Sequence, residues 1–105
     1  MHRLLFAVWR KEGMSHEDFI AHYRDVHIPM GQGFAGMVEY DLYPVQGEDG
    51  PDAFAIWAFD SQESFETAIA SEQGKSQQAD AETFVGKTEV YMVDRVEGMS
   101  GTPTT

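Results

Sequence analysis

The sequence predicts a single α+β domain whose elements run strand, helix, strand, strand, helix, strand. Three observations carry this. Residues 3–9 and 53–59 are nearly continuous apolar runs, as in strands buried on both faces. Two other segments, opening at Ser15 and at Asp60–Ser61, place apolar residues at helical spacing behind capping signals. The length of 105 residues suits one domain and is too short for an eight-fold βα barrel or a two-half dinucleotide-binding fold.

The first strand covers residues 3–9, and Lys11-Glu12-Gly13 breaks it. Ser15 caps the first helix, with Asp18 at the third helical position to close a capping box and Met14 and Phe19 placed as a hydrophobic staple. Phe19, Tyr23 and Val26 follow at helical spacing, with Ile20 and His27 beside them. Pro29 is expected to end this helix, because the residue before a proline avoids helical geometry. A glycine loop (Gly31, Gly33, Gly36) leads to a strand at 37–46. There Val38, Tyr40 and Leu42 share one face and Glu39 and Asp41 the other, as on an edge strand, where Pro44 is tolerated. Residues 47–52 form a turn before the third strand, 53–59. Asp60 or Ser61 caps the second helix, whose apolar stripe is Phe65, Ala68 and Ile69. Gly74 interrupts it, and a short helical piece follows near 77–84. Residues 88–96 form the last strand. The domain thus spans 1–97, and a tail, 98–105, is expected to fray.

Each half is a split β-α-β unit, so the architecture expected is the ferredoxin-like βαββαβ plait: a four-stranded antiparallel sheet with helices on one face. The helices cover one face only, yet the first and third strands look apolar on both. The simplest cover for the second face is the sheet of another copy, giving a homodimer that closes sheet to sheet into an α+β barrel.

Asp plus Glu outnumber Lys plus Arg by 18 to 7, for a net charge of −11. Residues 1–30 balance, so the acidic excess lies in 31–105. Such a surface repels phosphate, and neither nucleic acid nor an anionic membrane is an expected partner. The absence of cysteine excludes disulfides, thiolate chemistry and Cys-based zinc sites. The apolar run from Leu4 to Trp9 is too short for a signal-peptide core, and no stretch approaches the roughly 20 apolar residues of a membrane span. A soluble cytoplasmic protein is expected.

Gly31-Gln-Gly33-Phe-Ala-Gly36 has the G-x-G-x-x-G pattern but follows a helix and precedes a strand, so it reads as a glycine-rich turn. His16, His22 and His27 are spaced by six and five residues, not the three or four that bring metal ligands together on a helix, and no metal site is expected. Two readings of His27 stand side by side. It caps free carbonyls at the helix end, where the helix dipole raises its pKa, or it faces a cavity as a general acid or base. Tyr23, one turn earlier, either reaches the same bound molecule or belongs to the core. Tyr40, Trp57 and Tyr91 are strand aromatics that serve as core or line a pocket. Glu39 and Asp41 read as an exposed edge face. No nucleophile elbow or Walker A loop is present.

Phe19-Ile-Ala-His-Tyr23-Arg-Asp-Val-His27-Ile-Pro29 resembles the first-helix signature of the EthD family, within the dimeric α+β barrel superfamily. Trp57-Ala-Phe-Asp60-Ser, then Phe65 and Ala68, then Ala70-Ser71-Glu72-Gln-Gly74 resembles that family's second half, and the resemblance covers about residues 3–97. It implies a dimeric plait with a pocket between the first helix and the sheet of each subunit. Within it His27 matches the family's characteristic histidine and Tyr23 the aromatic before it. The site expected here has His27 and Tyr23 as the acting residues, with Phe19, His22, Tyr40, Trp57 and Tyr91 as substrate contacts. Relatives in the superfamily include isomerases, cyclases, dehydratases, cofactor-free oxygenases and haem binders. The function expected is cofactor-free proton transfer on a small apolar or aromatic carbonyl, phenol or lactone. His27 would move the proton and Tyr23 would hold an oxygen. The alternatives are a non-catalytic binding or accessory protein of a degradative oxygenase system, haem binding through His27 or His22, and a cofactor-free monooxygenase.

Overall fold

The computed structural model describes residues 1–98. Its elements are β1 (His2–Arg10), α1 (His16–His22), a π-helical turn (Tyr23–His27), α2 (Ile28–Gly31), β2 (Met37–Pro44), β3 (Ala53–Phe59), α3 (Gln62–Ala70), α4 (Glu72–Phe84) and β4 (Val85–Val93). The strands form one antiparallel sheet in the order β2-β3-β1-β4, which is the ferredoxin-like plait. The apolar strands β1 and β3 are central and the alternating β2 is an edge, as their patterns require. Among the described residues no helix is long and apolar enough to cross a membrane.

Ser15 begins α1 by accepting the Asp18 backbone N–H at 3.0 Å, and Ser61, not Asp60, does the same for α3 with Ser64. Asp52, nearly buried in the turn before β3, ties three segments together. It accepts the Arg10 guanidinium at 2.6 Å, the Arg10 backbone N–H at 2.8 Å and pairs with His16 at 2.8 Å. Burial works against its charge, but these donors win and hold its carboxyl below the usual range.

Several expectations are corrected. Pro29 does not end the first helix: the chain stays helical to Gly31 because the turn before the proline widens to π geometry. Gly74 does not break the second helical region. The break is at Ser71, which closes α3 and caps α4, while Gly74 lies inside α4 where a Cβ would run into the Ala68 carbonyl. β4 starts at Val85 rather than residue 88 and ends at Val93, directly continuing from α4, and a register shift beside Trp9 and Arg10 accommodates it. β2 ends at Pro44 rather than residue 46. A bulge leaves Val38 unpaired and exposed, so Met37 rather than Val38 joins Tyr40 and Leu42 on the helix side. Apart from Gly98, the tail expected to fray lies outside the described residues.

Leu4, Phe6 and Val8 of β1 and Ala53, Ala55, Trp57 and Phe59 of β3 face the helices. Leu5, Ala7, Phe54, Ile56 and Ala58 alternate with them onto the second face. Within one chain that face is not buried as the sequence pattern suggests: Phe54 is 36% exposed, and Tyr43 and Tyr91 about half exposed. On the helix side the core is split. Val8, Phe19, Tyr23, Ala53, Ala55 and Phe84 form one cluster, and Phe34, Phe59 and Ala68 form another. A cavity reaches residues of both.

Candidate functional site

The π turn sets the site. Its last bond runs from the Ile28 N–H to the Tyr23 carbonyl, five residues back, and the wider turn rotates the side chains. Arg24, Asp25 and Val26 point outward, so Val26 leaves the apolar stripe expected for it. Tyr23 and His27 point inward, 4% and 5% exposed, with ring centroids 5.0 Å apart. Pro29 then falls in the first turn of α2, where its missing N–H breaks no helical bond. His27 therefore sits inside a helical stretch and does not cap its end.

The cavity has a volume of about 520 Å³. Leu4, Phe6 and Val8 form its floor, and Phe34, Trp57 and Phe65 one wall. Its polar groups are few: Tyr23, His27, Gln77, Gln78 and Thr88. This mix, an apolar bowl with a handful of fixed polar groups, is typical of small-molecule sites.

His27 Nδ1 lies 2.9 Å from Oδ2 of Asp80 on α4, and among the described residues no group bonds to its Nε2. Burial lowers the His27 pKa, Asp80 opposes that, and the charge of His22 adds to the lowering. The rise expected of a helix-ending histidine does not arise, because the ring stands inside the helical stretch and burial dominates. A neutral imidazole that donates Nδ1–H to a carboxylate presents a lone pair on Nε2, the arrangement of an oriented general base. Tyr23 and Tyr40 have pKa values raised by burial, so both are neutral phenols that give or accept hydrogen bonds rather than bases. Gln77, also buried, donates to the Tyr40 hydroxyl at 3.0 Å and to the His27 carbonyl at 3.3 Å, joining α4, β2 and the π turn. Gly31 allows this: a Cβ there would collide with both Gln77 and the Tyr40 ring. The indole of Trp57 packs on the Tyr40 ring, with its N–H buried on that side of the site.

Of the residues singled out from sequence, His27, Tyr23 and Trp57 are brought together at the cavity. Tyr40 stands behind Trp57, 5.3 Å from it ring to ring, and braces the site rather than lining it. Phe19 is fully buried beneath Tyr23 and Phe84, in the core and not in the cavity wall. His22 lies on the outer side of Asp80 and does not line the cavity. Tyr91 pairs with Leu5, and so stands on the opposite face of the sheet. The placement of Tyr91 follows from alternation, since successive strand side chains face opposite sides of the sheet, while His22, the last residue of α1, reaches Asp80 from outside the π turn. Glu39 is paired with Arg3 at 3.1 Å on that opposite face, as expected of an outward edge. Sequence reasoning missed Asp80, Gln77 and Phe34. The signal for the first two was faint: Gln77, Asp80, Ala81 and Phe84 share one helical stripe, so two polar residues sit in line with a core phenylalanine. Among the described residues no group of three or more His, Asp or Glu is placed to hold a metal ion.

A model of the EthD domain matches residues 11–88 of the chain. No curated protein matches it. Among solved structures, an EthD family protein from Bacillus halodurans C-125 superposes with a TM-score of 0.75 at 22% identity, covering 91% of this chain and 100% of that one. A dimeric ferredoxin-like protein of unknown function from Thermobifida fusca YX gives 0.74 at 8% identity, covering 88% of each chain. An antibiotic biosynthesis monooxygenase gives 0.69 at 15% identity, covering 92% of this chain and 100% of that one. At these identities the likeness is one of fold.

Proposed function

The chain belongs to the EthD domain family, and from the site it builds we propose that it moves a proton on a small, mostly apolar carbonyl, phenol or lactone metabolite, without a cofactor. The observation that carries this reading is the buried His27, which lines an apolar cavity and is held through Nδ1 by Asp80, with no hydrogen bond to its Nε2 among the described residues. In this reading Nε2 takes a proton from an acidic carbon or hydroxyl of the substrate. Asp80 then balances the imidazolium that forms, and Tyr23, a neutral phenol backed by Tyr40, donates to the substrate oxygen as it gains charge. Returning the proton to another atom completes an isomerisation, a cyclisation or an elimination. The cavity volume of about 520 Å³ supports a small ligand.

The same deprotonation is also the first step of a cofactor-free oxygenation, and the monooxygenase among the fold neighbours supports keeping that branch open. Dioxygen uptake with the same substrates separates the two.

The homodimer belongs to the proposal as well. The apolar second face of the sheet and the dimeric neighbour support sheet-to-sheet pairing.

The test is a panel of enolisable ketones, phenols and lactones incubated in heavy water, with deuterium uptake followed by NMR. Replacing His27 with Ala is expected to slow exchange or turnover by about 10²–10⁴-fold. Unchanged rates on a substrate that the wild type turns over would end the base role. Binding without exchange in the wild type would make the chain a binding protein instead.

A further inference from the structure

We propose that His22 takes the first proton of the His22–His27 pair from solvent and, through the carboxylate the two share, keeps His27 neutral as the pH falls. This rests on the reading of His27 as the base. The arrangement is a line of three groups. His27 Nδ1 is 2.9 Å from Asp80 Oδ2, and His22 Nε2 is 3.0 and 3.1 Å from the two oxygens of the same carboxylate. Side-chain exposure rises outward along it, from 7% at His27 through 13% at Asp80 to 30% at His22. Both rings pack on Phe84, at 4.3 and 5.2 Å between centroids.

One carboxylate compensates one positive charge. A second imidazolium in the same pocket would be a buried cation with no counter-charge, which is strongly unfavourable. The outer ring keeps contact with water and the inner ring does not, so the first charge settles outside. The charge of His22 then works against protonation of His27, on top of the effect of burial, which is the larger. His22 is therefore a positioning residue that sets the proton affinity of His27: its charge keeps the inner ring neutral in acid and makes it a weaker base there, so His27 accepts a substrate proton best where His22 is uncharged.

Few other charged or titratable groups face the pair. From α4 there is Asp80 itself, with Gln77 on the His27 carbonyl. From the π turn there is Tyr23, whose hydroxyl meets Tyr40 of β2, while Arg24 and Asp25 pair with each other in solvent. β1 and β4 present Leu4, Phe6, Thr88 and Val90 to the cavity.

The experiment is an NMR titration of the histidine side chains of the full chain between about pH 4 and 9, which needs no substrate. In the wild type, His27 should protonate only below the midpoint of His22. His22→Gln keeps an N–H for Asp80 but cannot take the charge, and should raise the His27 midpoint by about half a pH unit or more. Asp80→Asn should lower both midpoints. An unmoved His27 midpoint in His22→Gln, protonation of His27 before His22, or midpoints indifferent to Asp80→Asn would each overturn the proposal. Its failure is distinct from failure of the base role, which is read from substrate exchange and turnover in the wild type and His27→Ala and not from these midpoints.

Discussion

His27 concentrates the chemistry of the site into one residue, and its environment makes a sign-definite claim about stability. Its folded pKa is lowered, by burial first. The unfolded chain, with an ordinary imidazole near 6.5, therefore binds the proton more readily than the folded chain. The contribution of His27 to stability is full above about pH 6.5 and declines as the pH falls from there through the folded value. Urea melts at a series of pH values should show that decline, and His27→Gln should flatten it. A wild-type profile that is level between neutral and mildly acid pH would contradict the burial of a neutral ring. Asp80 was not legible in the sequence for a plain reason: it lies 53 residues from His27, and a carboxylate in a polar helix is distinguished only by what folds against it.

At the scale of elements, the helix that carries Tyr23 and His27 works because it is irregular. A regular α-helix would set the Pro29 ring against the carbonyl four residues back, and the π turn removes that conflict while turning both side chains inward. If so, Pro29 occupies a first-turn position where it costs little. Pro29→Ala should change stability by less than about 1 kcal/mol, against the roughly 3 kcal/mol gained on removing a proline from a helix interior. Thermal melts of the variant decide between these. The joint between α3 and α4 makes the opposite demand. Ser71 accepts the Gly74 N–H and donates to the Ala68 carbonyl, and Gly74 packs where no side chain fits. Gly74→Ala should lose about 1–3 kcal/mol to overpacking, although alanine is the better helix former. A neutral or stabilising result would mean that the two helices are free to part.

The whole molecule presents a sheet with one face covered and one open. Leu5, Ile56, Phe54 and Tyr91 lie on the open side, beside the Arg3–Glu39 pair. On the proposed homodimer, Phe54→Glu should place a charge in the interface and shift the protein from dimer to monomer in native mass spectra, while the far-UV circular dichroism stays the same. A monomeric wild type, or a dimer indifferent to this substitution, would show that the apolar pattern of β1 and β3 serves something other than sheet-to-sheet pairing. The net charge of −11 sets a long-range repulsion between copies, which added salt should weaken.

By itself the sequence determined the order of elements, the central and edge positions of the strands and two of the helix caps. These are written in local patterns: alternation, helical spacing and the short polar residues that satisfy free backbone N–H groups. It also singled out His27 and Tyr23, because their spacing on one helix does not depend on the rest of the chain. Tertiary structure alone decided which way the helix turns at Pro29, which strand aromatics reach the cavity, and that Asp80 and Gln77 close on the site from α4. Each depends on register or on contacts between distant segments. A shift of one residue in a strand, or one residue added to a helical turn, reverses a side chain's direction without altering the local pattern that announces the element.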